Sequence, residues 1–169
     1  DQQLFNLTRV PAMIELLDSE PGSPEVKRAS GLVTAIFLIG WATGGLFFGV
    51  LGDRIGRAKT MMLTILLYSL FTGLSALSVG FWDFALYRFL TGLGVGGEFA
   101  VGVALVAEVM PSRARPYALA FLQALSAIGN ISAALLTMLF GYLASRGSFG
   151  DTSAWRPLFV VGGVPALLA

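Results

Sequence analysis

Gly49-Val-Leu-Gly-Asp53-Arg54-Ile-Gly56-Arg57-Ala-Lys59 packs one acid, three bases and three glycines into eleven residues. On either side lie long uncharged stretches, Ala29 to Gly52 before its charges and Thr60 to Trp82 after them. The first of these is 24 residues long. At ~1.5 Å per residue it makes a helix of about 36 Å, enough to cross a hydrocarbon layer ~30 Å thick with some tilt. The arrangement predicts a tight, positively charged loop between two membrane helices.

Composition agrees. The chain is 56% hydrophobic and 12% charged, with a mean hydropathy of +0.78. Soluble domains carry about 25% charged residues, and their buried helices alternate with charged surface segments. A net charge of +1 with no basic tract offers nothing that could follow a phosphate backbone, so nucleic acid is not an expected partner. The chain has neither cysteine nor histidine. That excludes thiolate nucleophiles, thiolate metal sites, disulfides and any catalytic triad built on imidazole. No cofactor is expected, and the reading is not that of an enzyme.

Outward from the opening segment, spans are expected at about 30–51, 60–80, 84–108 and 116–143. A further span starts near Trp155 and runs to Ala169, too short to cross. Residues 1–29 are read as the end of a preceding helix and an extracytoplasmic loop. They contain at most a short amphipathic turn near Pro11 to Leu17 and then a polar connection through Pro21, Gly22 and Pro24. No initiator methionine or basic leader opens the chain, so it is expected to be cut at both ends.

Basic residues in short loops set orientation. Arg54, Arg57 and Lys59 lie in the 52–59 connection, and Arg113 and Arg115 lie in the 109–116 connection. Both loops are therefore expected on the cytoplasmic side of the inner or plasma membrane.

Inside the spans, two charges stand out. Arg88 is about one turn into the third span and Glu98 is near its middle. Each costs roughly 2.5–3.5 kcal/mol to insert, so each needs a partner, water or a ligand. Ten helical residues place them about 80° apart in rotation and ~15 Å apart along the axis, so they cannot pair with each other. On the fourth span Gln123, Ser126, Asn130 and Thr137 share a face, a polar stripe suited either to a polar solute or to hydrogen bonding between helices. Gly40, Gly44, Gly45 and Gly49 on the first span, with Gly92 and Gly96 on the third, favour close helix packing.

The motif Gly49-x-x-x-Asp53-Arg54-x-Gly56-Arg57-x-Lys59 resembles the major facilitator superfamily signature between helices two and three. Arg88-Phe-Leu-Thr-Gly92-Leu-Gly94-Val-Gly96-Gly97-Glu98 is similar to the fourth-helix motif of that family. Glu108-Val-Met-Pro111-Ser-Arg113-Ala-Arg115 is similar to the segment closing that helix in sugar and organic-acid porters.

The resemblance implies an all-α polytopic membrane protein, half of a twelve-helix fold from the end of helix one to the start of helix six. A second six-helix half of the same polypeptide is the implied partner. The implied activity is secondary active transport of a small polar metabolite, organic acid or sugar-like, by alternating access and proton-coupled symport. A transporter-like sensor that binds without coupled transport is the alternative. Asp53, Arg57 and Glu108 would form a gating charge network, supported by Gly49, Arg54, Gly56, Lys59 and Arg113. Arg88, Glu98, Gln123 and Asn130 would serve substrate binding or proton coupling. Asp1 is a candidate for the second acid of a helix-one pattern. Ala58 stands where the loop motif usually has a base, and the helix-five glycine-proline pair of drug antiporters is absent, since Gly129 precedes Asn130.

Overall fold

A computed structural model describes residues 2–146 and 155–163, and every described element is helical. The order is α1 (Gln2–Leu16), α2 (Pro24–Ile55), α3 (Arg57–Ser75), α4 (Phe81–Val109), α5 (Arg115–Ser145) and α6 (Trp155–Gly162). Four of them, α2 to α5, are long and apolar enough to cross a membrane. Their outward faces carry Leu46, Leu70, Leu135 and Met138, all exposed. Such faces suit hydrocarbon or another apolar protein surface, not water. The last expected span is described only as α6, and residues 164–169 lie outside the described part.

Three expected boundaries change. The 52–59 connection is almost wholly helical: α2 runs to Ile55, α3 begins at Arg57, and Gly56 alone separates them. Gly56 has φ +101°, a conformation that side chains resist, which is why one residue can turn the chain. At its other end α2 begins at Pro24, six residues before the expected start. The Ser23 hydroxyl caps it by accepting from the Val26 amide at 3.3 Å, and proline occupies its first turn.

The third change is in the first segment. A fifteen-residue helix fills Gln2–Leu16, longer than the helix end and the short turn near Pro11 to Leu17 read there from the sequence. Polar residues and Pro11 disguised it, but Phe5, Thr8, Ala12 and Met13 recur at helical spacing and are all buried.

The most extensive interface joins α2 to α4, followed by α3 to α4. Glycines make the first one. A Cβ at Gly44 would stand 2.0 Å from the Leu93 carbonyl oxygen, and one at Gly96 would stand 1.9 Å from that of Trp41. Backbones this close leave room for nothing larger than hydrogen, so these glycines are packing surfaces. An apolar cluster of Phe5, Met13, Val33, Phe37, Phe84, Trp155 and Phe159 ties α1, α2, α4 and α6 together at the end of the bundle opposite Gly56. By contrast α5 is largely exposed. Ala133 is buried with Leu158 of α6, and Leu136 and Phe140 pack alongside.

Candidate functional site

At the Gly56 end, one side chain joins three helices. Arg57 opens α3, where the turn at Gly56 throws it back over the last two turns of α2. Its Nε donates to Glu108 Oε1 on α4 at 2.9 Å and one terminal nitrogen donates to the Gly49 carbonyl at 3.1 Å. The other terminal nitrogen contacts Asp53 in the last turn of α2. All three guanidinium nitrogens are thus engaged, a geometry a lysine could not reproduce.

The pairs are only partly shielded. Side-chain exposure is 17% for Arg57, 62% for Asp53 and 55% for Glu108. Ion pairs this wet are worth about 0–1 kcal/mol each. The clamp is strong enough to set an orientation and weak enough to open. Arg54, Lys59 and Arg113 are exposed at the same end, and none forms an ion pair with a described residue. Gly49 contributes its carbonyl; a Cβ there would meet nothing within 4 Å, so the close helix approach expected of it is absent among the described residues.

Deeper in the bundle, Arg88 is completely buried. It donates to Ser75 Oγ on α3 at 2.7 Å and to Thr91 Oγ1 at 3.0 Å. Its guanidinium carbon lies 4.7 Å from the Phe159 ring centre, 5.6 Å from Phe5 and 5.7 Å from Phe84. Three ring faces and two hydroxyls substitute for water around the charge. The side chain therefore links α4 to α1, α3 and α6. Asp1 lies outside the described residues.

Glu98 is half-buried, on the same α4 face as Gly94, whose position meets Tyr68 of α3. As the spacing requires, Arg88 and Glu98 do not meet. Gln123 and Asn130 are exposed on α5, as is Ser126, while the Thr137 hydroxyl folds back to donate to the Ala133 carbonyl at 2.8 Å. The described chain does not bring the α5 stripe to Arg88 or Glu98.

Sequence reasoning passed over one cluster at the far end. Glu15 of α1 accepts from Trp155 Nε1 at 2.6 Å and from Arg156 Nε at 2.9 Å. Arg156 also donates to the carbonyls of Ala76 at 2.7 Å and Ser78 at 3.1 Å. Its signal in the sequence is an acid alone in an apolar helical segment, with a Trp-Arg pair opening a later one. Nothing in their separation of 140 residues says that they meet. Among the described residues no group of three or more acids, histidines or cysteines could hold a metal ion.

Comparison with known proteins places this geometry. A family model described as "Sugar (and other) transporter" matches residues 10–169. A Haemophilus influenzae protein provisionally named for metabolite transport is 40% identical over 165 residues, 98% of this chain and 36% of its own length. The niacin transporter NiaP of Acinetobacter baylyi is 36% identical over 138 residues, 82% of this chain and 29% of that protein. The chain thus spans about a third of the length of these relatives. Among solved structures, the proton:xylose symporter XylE of E. coli superposes with a TM-score of 0.76 at 24% identity, covering 98% of this chain and 38% of XylE. At that identity the likeness speaks for the fold alone.

Proposed function

The chain belongs to the sugar (and other) transporter family of the major facilitator superfamily, as an N-terminal half, and on that premise we propose that it serves proton-coupled symport of a small polar metabolite, an organic acid or a sugar-like solute. It is integral to a membrane, by its four apolar spans and its family. The proposed membrane is the cytoplasmic one. Arg54, Arg57, Lys59, Arg113 and Arg115 support a cytoplasmic position for residues 52–59 and 109–116.

The observation that carries the reading is the link from Arg57 to Asp53, Glu108 and the Gly49 carbonyl. It fastens the cytoplasmic ends of α2, α3 and α4 with pairs worth about 0–1 kcal/mol each. Alternating access needs such an element: two packings close in energy, biased by whichever ligand prefers one of them. In this fold the solute site lies near the midplane between the two six-helix halves. Glu98, half-buried on α4, is the proposed proton carrier, and Arg88 holds its helix against α3 as the halves rock. Gln123 and Asn130 present the polar stripe of α5 toward the second half of the polypeptide and the solute.

The test is uptake by the full-length transporter in proteoliposomes, with an inward proton gradient and a panel of labelled carboxylic acids and aldoses. The expected result is accumulation of at least one solute above equilibrium, collapsed by a protonophore. Entry no faster than into empty liposomes, for every solute and with the gradient intact, contradicts the reading.

A further inference from the structure

A second polar feature lies apart from both the Arg57 clamp and Arg88. Between α1 and α2, toward the end that carries Gly22, is a half-open cavity of about 570 Å³. Small-molecule sites run from about 300 to 1,000 Å³. Its walls include Arg9, Lys27, Ser30 and Thr34 together with the apolar Val10 and Leu38, and no acid is among its described lining residues.

Arg9 lies seven residues before the end of α1, about 10 Å into the bundle. Its terminal nitrogen donates to Thr34 Oγ1 at 2.8 Å, while the Thr34 hydroxyl itself donates to the Ser30 carbonyl at 2.7 Å. That fixes the guanidinium on a neutral group. No carboxylate reaches Arg9 among the described residues. Its Nε is buried without a hydrogen-bond partner, and so is the Ser30 hydroxyl, on a side chain only 6% exposed. A charge at this depth and two unsatisfied buried groups are costly unless something completes them. Lys27 adds a second, exposed cation nearer the mouth. An anion with several acceptor oxygens and an apolar body would match this lining.

We propose that the groove between α1 and α2 is an oxyanion-binding site, in which Arg9 and Ser30 hold a carboxylate or phosphate while Val10 and Leu38 cover its hydrocarbon part. Lys27 draws the anion in. Two sources share this chemistry, a dissolved organic carboxylate entering from the outer side and the headgroup of an anionic phospholipid. None of Arg88, Glu98, Gln123 and Asn130 lines the groove, so the proposal does not depend on which solute is carried.

The experiment uses the full-length transporter and two probes. Benzoate binding is measured by calorimetry in detergent, and phosphatidylglycerol retention by native mass spectrometry after extraction from nanodiscs that also contain phosphatidylcholine. The variants are Arg9→Gln and Arg9→Lys, with Lys27→Gln and Thr34→Val carrying the same comparison should Arg9→Gln fail to fold. For a free carboxylate, Arg9→Gln weakens benzoate at least about ten-fold, as expected for loss of a charge-assisted bond. Arg9→Lys then stays within about three-fold of the wild type. For a headgroup, phosphatidylglycerol is lost selectively in Arg9→Gln while benzoate is unaffected. A wild type that holds neither probe overturns the proposal. So does an Arg9→Gln protein that holds both as well as the wild type, or an Arg9→Lys protein that loses them equally.

Discussion

The Nε of Arg57 lies 2.9 Å from Oε1 of Glu108, 51 residues further along the chain, while the same guanidinium reaches Asp53 four residues back. One side chain thus reports on the packing of three helices. The two carboxylates are more than half exposed, so losing either is cheap, whereas losing Arg57 releases both at once. Arg57→Ala in the full-length protein is expected to lower the rate of uptake about ten-fold, equivalent to ~1.4 kcal/mol. Asp53→Asn and Glu108→Gln should each have a smaller effect. Initial uptake rates in proteoliposomes decide it, and rates for Arg57→Ala equal to wild type would remove the clamp from the mechanism.

The contact between α2 and α4 predicts a contrast between glycines on one helix. A methyl group at Gly96 would lie 1.9 Å from the Trp41 carbonyl oxygen, whereas at Gly102 it meets nothing within 4 Å. Gly96→Ala should therefore destabilise by about 1–3 kcal/mol, and Gly102→Ala by less than about 0.5 kcal/mol. Thermal unfolding in detergent distinguishes them. Equal melting temperatures for the two variants would contradict the close approach.

Arg88 should tolerate little. One terminal nitrogen reaches Ser75, Thr91 and the Phe71 carbonyl, and the guanidinium sits inside a ring of Phe5, Phe84 and Phe159. Lysine keeps the charge but not the planar fork or its stacking. Arg88→Lys is expected to fold with a lowered melting temperature and impaired uptake, and Arg88→Ala to cost more than about 2 kcal/mol. A melting temperature for Arg88→Lys at or above that of the wild type would show that the ring geometry around the guanidinium does not matter.

At the far end, Glu15 and Arg156 tie α1 to α6 through a pair that is 33% and 27% exposed. Water at that surface weakens the attraction. A double-mutant cycle on Glu15→Gln and Arg156→Gln should return a coupling of about 0.5–1 kcal/mol. Zero coupling would mean that Trp155 and the Ala76 and Ser78 carbonyls hold the corner by themselves.

How much of this was legible in the sequence depends on where each signal came from. Hydropathy and the bunching of charge gave the four spans, because burial in hydrocarbon constrains a whole run of residues. Gly56 and Arg57 were readable as a turn beside a base, though a one-residue turn was not, since it rests on the +101° φ that only the folded chain displays. The helix at Gln2–Leu16 was hard to read because Asn6, Arg9 and Pro11 interrupt its apolar residues, while its described buried face is Phe5, Thr8, Ala12 and Met13. Arg88 and Glu98 were visible as charges out of place. Their surroundings were not, because Phe159 and Ser75 come from distant parts of the chain. The meeting of Glu15 with Trp155 and Arg156 is purely tertiary, and no local pattern announces it.

The proton-coupling claim rests on Glu98, the half-buried carboxylate of α4. Its most direct test compares wild type with Glu98→Gln in the full-length transporter, measuring uphill uptake under an imposed proton gradient beside solute exchange at equal pH. The account predicts that Glu98→Gln loses gradient-driven accumulation and keeps part of the exchange, since a neutral amide imitates the protonated acid but cannot release its proton. Undiminished uphill uptake by Glu98→Gln would contradict it.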